Sequence, residues 1–316
     1  MFSFIKFIQS ILDRLKKNKG LWFTLLTIIS VMGILISMTL INKMSTDVAK
    51  KTYLQEHRVD VSQLENVFDL KYDSLLSIGG IVSIHPDIIA NIKSKSDKSV
   101  NDLLLKAQKA INERVINPIE LHYYAYQYKT KNAENHQYAD VAMETQTSIT
   151  GVVVNRKGIK IITITPIIDN NQSIGAIEVS EPISSLRNAF EKMGKEFVFI
   201  LHKSQLVFID LETKQGMLQN INDDYVIFYH NYNPQFFNNL KKIPFDVLLP
   251  QKYYIDDSYY TTYDDAVDID GKKIGLFVIG ESSKETNSFV NITKNLINSI
   301  TTVALGLVIS LILFMF

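Results

Sequence analysis

Two long apolar runs, one near each end, constrain this chain more than anything else in it. Leu21 to Ile41 (LWFTLLTIISVMGILISMTLI) and Leu296 to Phe316 (LINSITTVALGLVISLILFMF) carry no formal charge. A helix rising ~1.5 Å per residue needs about 20 apolar residues to cross a ~30 Å hydrocarbon core, so each run is long enough to span a bilayer. Residues 42–295 between them have ordinary globular composition. The expected layout is a folded domain held by two transmembrane helices, 21–41 and 296–316, with both its ends at one membrane face.

Orientation follows from the basic residues around the first run. Lys6, Arg14, Lys16, Lys17 and Lys19 precede it, whereas Lys43, Lys50 and Lys51 follow it among Asp47 and Glu56. That bias places the N-terminus in the cytoplasm and residues 42–295 in the periplasm, across the inner membrane. SMTLINKM offers no small-x-small cleavage site, so the first run reads as an uncleaved signal anchor. The chain stops inside its second run, with no basic flank and no output domain. Two readings stay open: a fragment of a longer receptor, or a short relative that works through a partner.

Charge is balanced at 33 basic and 33 acidic residues, which gives no global field toward nucleic acid. The absence of Cys excludes disulfides, thiolate metal sites and Cys nucleophiles. The six His show no metal-ligand spacing, and no Walker loop, G-x-G-x-x-G or Ser-His-Asp order is present. We therefore expect no catalysis, no cofactor and no metal.

Periodicity divides the middle of the chain. Residues 1–20 alternate apolar and basic positions at helical spacing, as in a segment lying on the inner leaflet or a plain flank to the span. Residues 42–80 form a long amphipathic helix rising from the membrane, with Leu64, Val67, Phe68, Leu75 and Ile78 on one stripe, which Gly79-Gly80 is expected to break or bend. That stripe also implies a homodimer. Residues 87–117 read as one or two further helices. From Ile119 the period changes to short strands: 121–128, 149–155, 159–165 and 174–179, then 197–201, 206–211, 225–229, 259–265 and 274–279, with helices near 182–194 and 234–241. Asn170–Ile177 matches Asp270–Phe277 at an offset of 100, each with strand, polar turn, then a strand opening on Ile-Gly. Duplication of a hairpin-rich module and chance likeness of two hairpins both account for it.

Leu121-His122-Tyr123-Tyr124, Gly151–Ile159 running into Thr165-Pro166-Ile167, and Ile174–Val179 resemble the first-module strands of double-Cache (dCache) sensor domains. That family serves bacterial chemoreceptors, histidine kinases and cyclic-dinucleotide enzymes such as diguanylate cyclases. The chain departs from the family at Asn155, where members carry Gly, and over Lys129–Asp140, where members carry an Arg and a Gly-Asp pair. The resemblance implies an α+β fold: a long membrane-emerging helix with two PAS-like antiparallel-sheet modules, membrane-distal over 81–195 and membrane-proximal over 196–290. It implies recognition of a small polar molecule (an amino acid, carboxylate or amine) and a signal passed to a cytoplasmic domain or partner, most often for chemotaxis.

Candidate ligand groups lie in the distal module. His122, Tyr124, Tyr126 and Tyr128 share one strand face, which suits a small-molecule cup or an aromatic core face. Arg156 offers a bidentate guanidinium for a carboxylate, or is an exposed turn residue. Lys160 reads as a ligand group or an edge charge against aggregation. Tyr253, Tyr254, Tyr259, Tyr260 and Tyr263 with Asp256, Asp257, Asp264 and Asp265 form an aromatic–acidic patch. It would be a solvated hairpin, a Ca²⁺ site, or a surface that senses a periplasmic protein partner through Tyr259 and Tyr260.

Overall fold

The structure is a computed structural model that describes residues 19–126, 135–210, 214, 218–227 and 232–314. Expectations for residues 1–18, Tyr128, Lys129–Glu134, Leu211 and Phe228-Tyr229 lie outside the described residues. The chain divides into two units, Met1–Gln55 with Lys284–Phe316, and Glu56–Ser283.

The first unit is helical. Helix α1 (Lys19–Ser83) contributes its early turns, and the chain's last helix begins at Ser283 and runs to Phe314. The N-terminal helix is long and apolar enough to cross a membrane. Ile28, Ile29, Leu35, Ile36 and Leu40 in the former, and Leu296, Ile300 and Val303 in the latter, are exposed. Hydroxyls in both helices turn back on the backbone, Thr39 Oγ1 donating to the Leu35 carbonyl and Thr301 Oγ1 to that of Ile297.

In the second unit α1 continues unbroken to Ser83. Gly79-Gly80 neither breaks nor ends it, contrary to expectation. A Cβ on Gly79 would lie 2.6 Å from Thr165 Oγ1, so this glycine serves a close helix–sheet approach, while Gly80 has nothing near it. Two short helices follow, α2 (Pro86–Lys93) and α3 (Asp97–Asn112). The first sheet holds β1 (Glu120–Ala125), β2 (Ile149–Asn155), β3 (Gly158–Asp169) and β4 (Gln172–Pro182) in the order β1-β4-β3-β2, all antiparallel. Helix α4 (His136–Thr145) lies between β1 and β2 in sequence. Asn170 and Asn171 take φ of 49° and 62° in the β3–β4 turn, the left-handed pair that a two-residue hairpin needs.

A 3₁₀ turn (Ile183–Leu186) and α5 (Arg187–Lys192) lead into the second sheet. It contains β5 (Glu196–His202), β6 (Gln219–Asn220), β7 (Tyr225–Ile227), β8 (Tyr253–Ile255), β9 (Tyr259–Val267) and β10 (Lys273–Ser282), in the order β6-β7-β5-β10-β9-β8. Helices α6 (Pro234–Leu240) and α7 (Phe245–Gln251) precede β8, and α8 (Ser283–Phe314) follows β10 directly. Residues 203–208 form a 3₁₀ turn rather than the start of the expected strand over 206–211. His202 caps it, its Nδ1 accepting from Ser204 N at 3.3 Å.

The apolar stripe of α1 explains how both sheets are held. Leu64, Val67, Phe68, Leu75, Ile78 and Val82 join one core with Ile159, Ile161, Ile177 and Val179 of the first sheet and Phe197, Phe199, Phe277 and Ile279 of the second. The opposite face of each sheet has its own helices. Ala139, Ala142 and Met143 of α4 cover Ile162, Ile164 and Ala176, while Phe236, Phe237 and Leu240 of α6 and Leu248 of α7 cover Val198, Ile200 and Val278.

The repeat at offset 100 is structural. In β4 the pairing with β3 passes from Ile167↔Gly175 to Ile168↔Ser173, leaving Ile174 as an extra residue. In β10 the pairing with β9 passes from Lys273↔Val267 to Gly275↔Ala266, leaving Ile274 as the extra residue. Each Ile-Gly is thus a β-bulge followed by a glycine pressed on its neighbour. A Cβ on Gly175 would come 2.7 Å from the Tyr123 ring, and one on Gly275 would strike the Ile200 carbonyl oxygen.

Candidate functional site

The face of the first sheet turned away from α1 is the one that carries polar chemistry. Strand alternation puts Glu178 on that face, opposite His122 of β1 and Ile164 of β3. Ile164 and Ala176 beside it belong to the small core under α4. Glu178 is buried, and so is Tyr124 next to it. The Tyr124 hydroxyl donates to Glu178 Oε2 at 2.7 Å, and Asn135 Nδ2 donates to the same oxygen at 3.1 Å. Neither bond uses Oε1. Asn135 adopts φ 60° immediately before α4, so the helix start delivers both its amide and His136 to this face. The His136 ring sits 6.1 Å from that of Tyr124, and its Nδ1 lies 2.9 Å from Asp140 Oδ2. The His122 ring meets Tyr124 edge-on at 4.6 Å.

The repeat shows why Glu178 is unusual. Its counterpart, 100 residues on, is Val278, which is fully buried in the apolar core under α6 and α7. Where the second module fills this face with Phe236, Phe237 and Leu240, the first places a carboxylate, a tyrosine and two histidines. Burying a carboxylate is costly unless donors face it, so a position that tolerates valine in one copy has no structural need for glutamate in the other. Lys160, buried on the same face, has Nζ 2.5 Å from Glu120 Oε2. Because β3 is paired on both sides, Lys160 does not guard a sheet edge, and that reading is corrected.

A cleft of about 790 Å³ opens at the β2 side of this face. Asn135, His136 and Asp140 line one wall; Val153, Asn155 and Arg156 line a second. The third is the β9–β10 turn of the other module, with Asp268, Asp270 and Lys272. That turn is fastened to the first sheet. Ile269 N donates to the carbonyl of Val152 on the edge strand at 2.9 Å, and the Tyr138 hydroxyl donates to Asp270 Oδ2 at 2.8 Å. Burial, followed by the Asp270 carboxylate, pushes the Tyr138 phenol up to about 12. Asp268 Oδ1 accepts from Asp270 N and Lys272 N, and Asp140 faces His136, so the acidic groups of the cleft are engaged. The exposed Arg156 guanidinium borders the cleft. An anionic end of a ligand would meet Arg156 and Lys272 there, while the buried Glu178 lies outside the lining of the cleft.

The four expected ligand residues therefore separate. Tyr124 is at the centre of the polar face, His122 meets it edge-on, and Arg156 borders the cleft. Tyr126 does not join them: β1 ends at Ala125, so alternation stops, and Tyr126 lines a smaller cavity of about 370 Å³ with Tyr123 and Lys95. Glu178 and Asn135 were missed. Glu178 was legible as a charge between the β-branched Ile177 and Val179, had it been compared with Val278. The aromatic–acidic patch of the second module is only partly a surface: Tyr260 is fully buried, Tyr259 is half-buried, Asp257 and Asp265 are exposed, and Asp256 accepts from Ser258 N, Tyr259 N and Asn239 Nδ2. Among the described residues no group of three His, Asp or Glu is placed to hold a metal ion.

No family model and no curated protein matches the chain. Solved structures do. The ligand-binding domain of Campylobacter jejuni chemoreceptor Tlp3, in complex with 4-methylisoleucine, is 12% identical with a TM-score of 0.43, over 77% of this chain and 94% of that one. The ligand-binding domain of Pseudomonas fluorescens chemoreceptor CtaA, in complex with L-isoleucine, is 12% identical with a TM-score of 0.40, over 78% and 98%. The sensor domain of the V. cholerae histidine kinase DctB is 11% identical with a TM-score of 0.38, over 73% and 98%. All three are sensor domains.

Proposed function

We propose that this chain is the sensing part of a two-span inner-membrane receptor. Residues 42–295 face the periplasm, and a small polar molecule binds on the Glu178 face of the first module. The observation that carries this reading is the buried glutamate set with Tyr124, Asn135 and His136 beside an open cleft, where the twin module has valine and a filled core. A molecule with an ammonium or hydroxyl group suits Glu178, and amino acids, simple amines and carboxylates are the classes to test. The exposed apolar residues of α1 and α8 support two spans. Binding would bias α1, which packs on both sheets, and a coupling of ~1–3 kcal/mol suffices to pass a signal to a cytoplasmic domain or partner. The apolar α1 stripe is occupied by the core within one chain, so a homodimer would use another face of this helix.

The binding test is thermal unfolding of the full chain in detergent micelles against a panel of amino acids, amines and carboxylates. A ligand at 100 times its Kd raises stability by ~2.7 kcal/mol. Glu178→Gln should raise that Kd about 10- to 100-fold, the worth of a charge-assisted hydrogen bond, with little change in the unliganded midpoint. A panel with no shift, or a Glu178→Gln chain that binds as tightly as the parent, would overturn the ligand site. Topology is checked separately, by adding protease to intact spheroplasts. Residues 42–295 should be digested; protection until the membrane is permeabilised would reverse the orientation.

A further inference from the structure

The second module contains a charge cluster that ligand binding does not use. Lys195, just before β5, is buried, and its Nζ lies 2.5 Å from Oδ1 of Asp60 on α1. Asp60 is fully buried. Two more carboxylates face the same ammonium, Glu56 Oε1 at 3.6 Å from the preceding turn of α1 and Glu281 Oε2 at 4.0 Å from the end of β10. Three carboxylates thus meet one cation.

The acceptors also outnumber the donors. Asp60 Oδ2 and Glu281 Oε2 are buried without a hydrogen-bond partner. From β9 the fully buried Tyr260 faces the cluster, with Tyr253 of β8 stacked on it at 6.1 Å, and burial and Asp60 both push the Tyr260 phenol up, keeping it neutral. Among the described residues, Lys195 is the cation acting on Asp60, with Glu56 and Glu281 opposing it. The repeat supplies the comparison. Glu181, the counterpart of Glu281, is buried against Lys71 of α1, its Oε2 accepting from Lys71 Nζ at 3.0 Å; its Oε1 also lacks a hydrogen bond, but the pair is balanced in charge. The first module has one acid and one base at this junction; the second has three acids and one base.

We propose that the Glu56–Asp60–Glu281 cluster around Lys195 is a proton-binding site that ties α1 to the end of β10, tightening as a proton is taken up. A proton supplies the missing donor and removes one negative charge from a site holding two in excess. Burial, partly offset by Lys195, raises the Asp60 carboxyl to about 6, consistent with its being the group that takes the proton. Its folded value lies above the ordinary 3.8, so the stability it lends is complete below that value and lost as pH rises through about 6. Glu281 stands two residues before Ser283, where α8 begins. Repulsion among the ionised acids therefore acts on the strand that continues into the last helix, and periplasmic pH becomes an input beside any ligand. The site stands on its own geometry, without the ligand reading.

The test is thermal unfolding of the full chain in detergent micelles at pH 5, 6 and 7.5, without added ligand. The parent midpoint should fall by on the order of 5 °C from pH 5 to 7.5. Asp60→Asn, an uncharged isostere, should melt above the parent at pH 7.5 and lose at least half of that fall; Glu281→Gln should lose part of it. Parent-like pH slopes in both variants would overturn the proposal. So would an Asp60→Asn chain that melts below the parent at pH 7.5 while Glu281→Gln keeps the full slope.

Discussion

Phe277→Ala is expected to destabilise the Glu56–Ser283 unit by about 4 kcal/mol, in the range for emptying a buried phenylalanine site. The ring is 5% exposed and lies where β10, β5 and α1 converge. Its centroid is 5.1 Å from Phe68 of α1, 5.5 Å from Phe199 and 6.1 Å from Phe197. The row extends in both directions, Phe197 stacking on Phe190 at 4.9 Å and Phe68 on Tyr72 at 5.7 Å. With each kcal/mol worth ~2–4 °C in a domain of this size, the midpoint should drop by roughly 8–16 °C. Phe277→Leu, which keeps most of the volume, should cost about 1 kcal/mol. Urea unfolding of the full chain in micelles measures both. A loss below about 1 kcal/mol for the alanine variant would mean the row does not bind α1 to the second sheet.

Gly275→Ala is the next largest expected effect, about 3 kcal/mol from a single added methyl, at the upper end for overpacking. The new Cβ would meet the Ile200 carbonyl oxygen and lie 3.1 Å from its carbon and 3.2 Å from Leu201 Cα, all backbone of the paired strand β5. A backbone neighbour cannot rotate aside as a side chain can. The strand pair must separate, and Gly275↔Leu201 is the last pair of the β10–β5 ladder, so the damage should be local fraying there. Amide hydrogen exchange should show Leu201 and His202 losing protection while the first sheet keeps its own. Gly80→Ala is the matched control: with nothing near that position, helix propensity should make it neutral or stabilising by up to ~1 kcal/mol. Equal behaviour of the two alanine variants would refute the close-approach account.

How much of this could be read from the sequence depended on the range of the interaction responsible. The stripe Leu64–Val67–Phe68–Leu75–Ile78 identified the long helix, because 3.6-residue periodicity is written locally. The Gly79-Gly80 pair misled, since what it answers to is Thr165, some 85 residues away, and not a turn. Leu206–Leu211 looked like a strand by composition; the His202 cap, a two-residue contact, made its first half a 3₁₀ turn. The Ile174-Gly175 and Ile274-Gly275 echo was visible as letters, while its meaning as a bulge needed the registers. Tyr124 was found by alternation. Tyr126 was placed beside it by the same rule, which fails once β1 ends at Ala125. Glu178 is not legible locally, because its significance comes from a comparison with Val278 and from burial, neither of which periodicity reports.

The fastening of the Asp268–Lys272 turn onto the first sheet has a consequence for anyone recombining these modules. Val152 on the exposed margin of the sheet gets its partner from Ile269 in the other half of the polypeptide, and Tyr138 gets its acceptor from Asp270. A chimera that transplants the first half alone would leave those groups bare, one wall of the cleft missing, and a strand free to pair with a stranger. Grafts of the cleft have to carry the distant hairpin tip along with the half they intend to move.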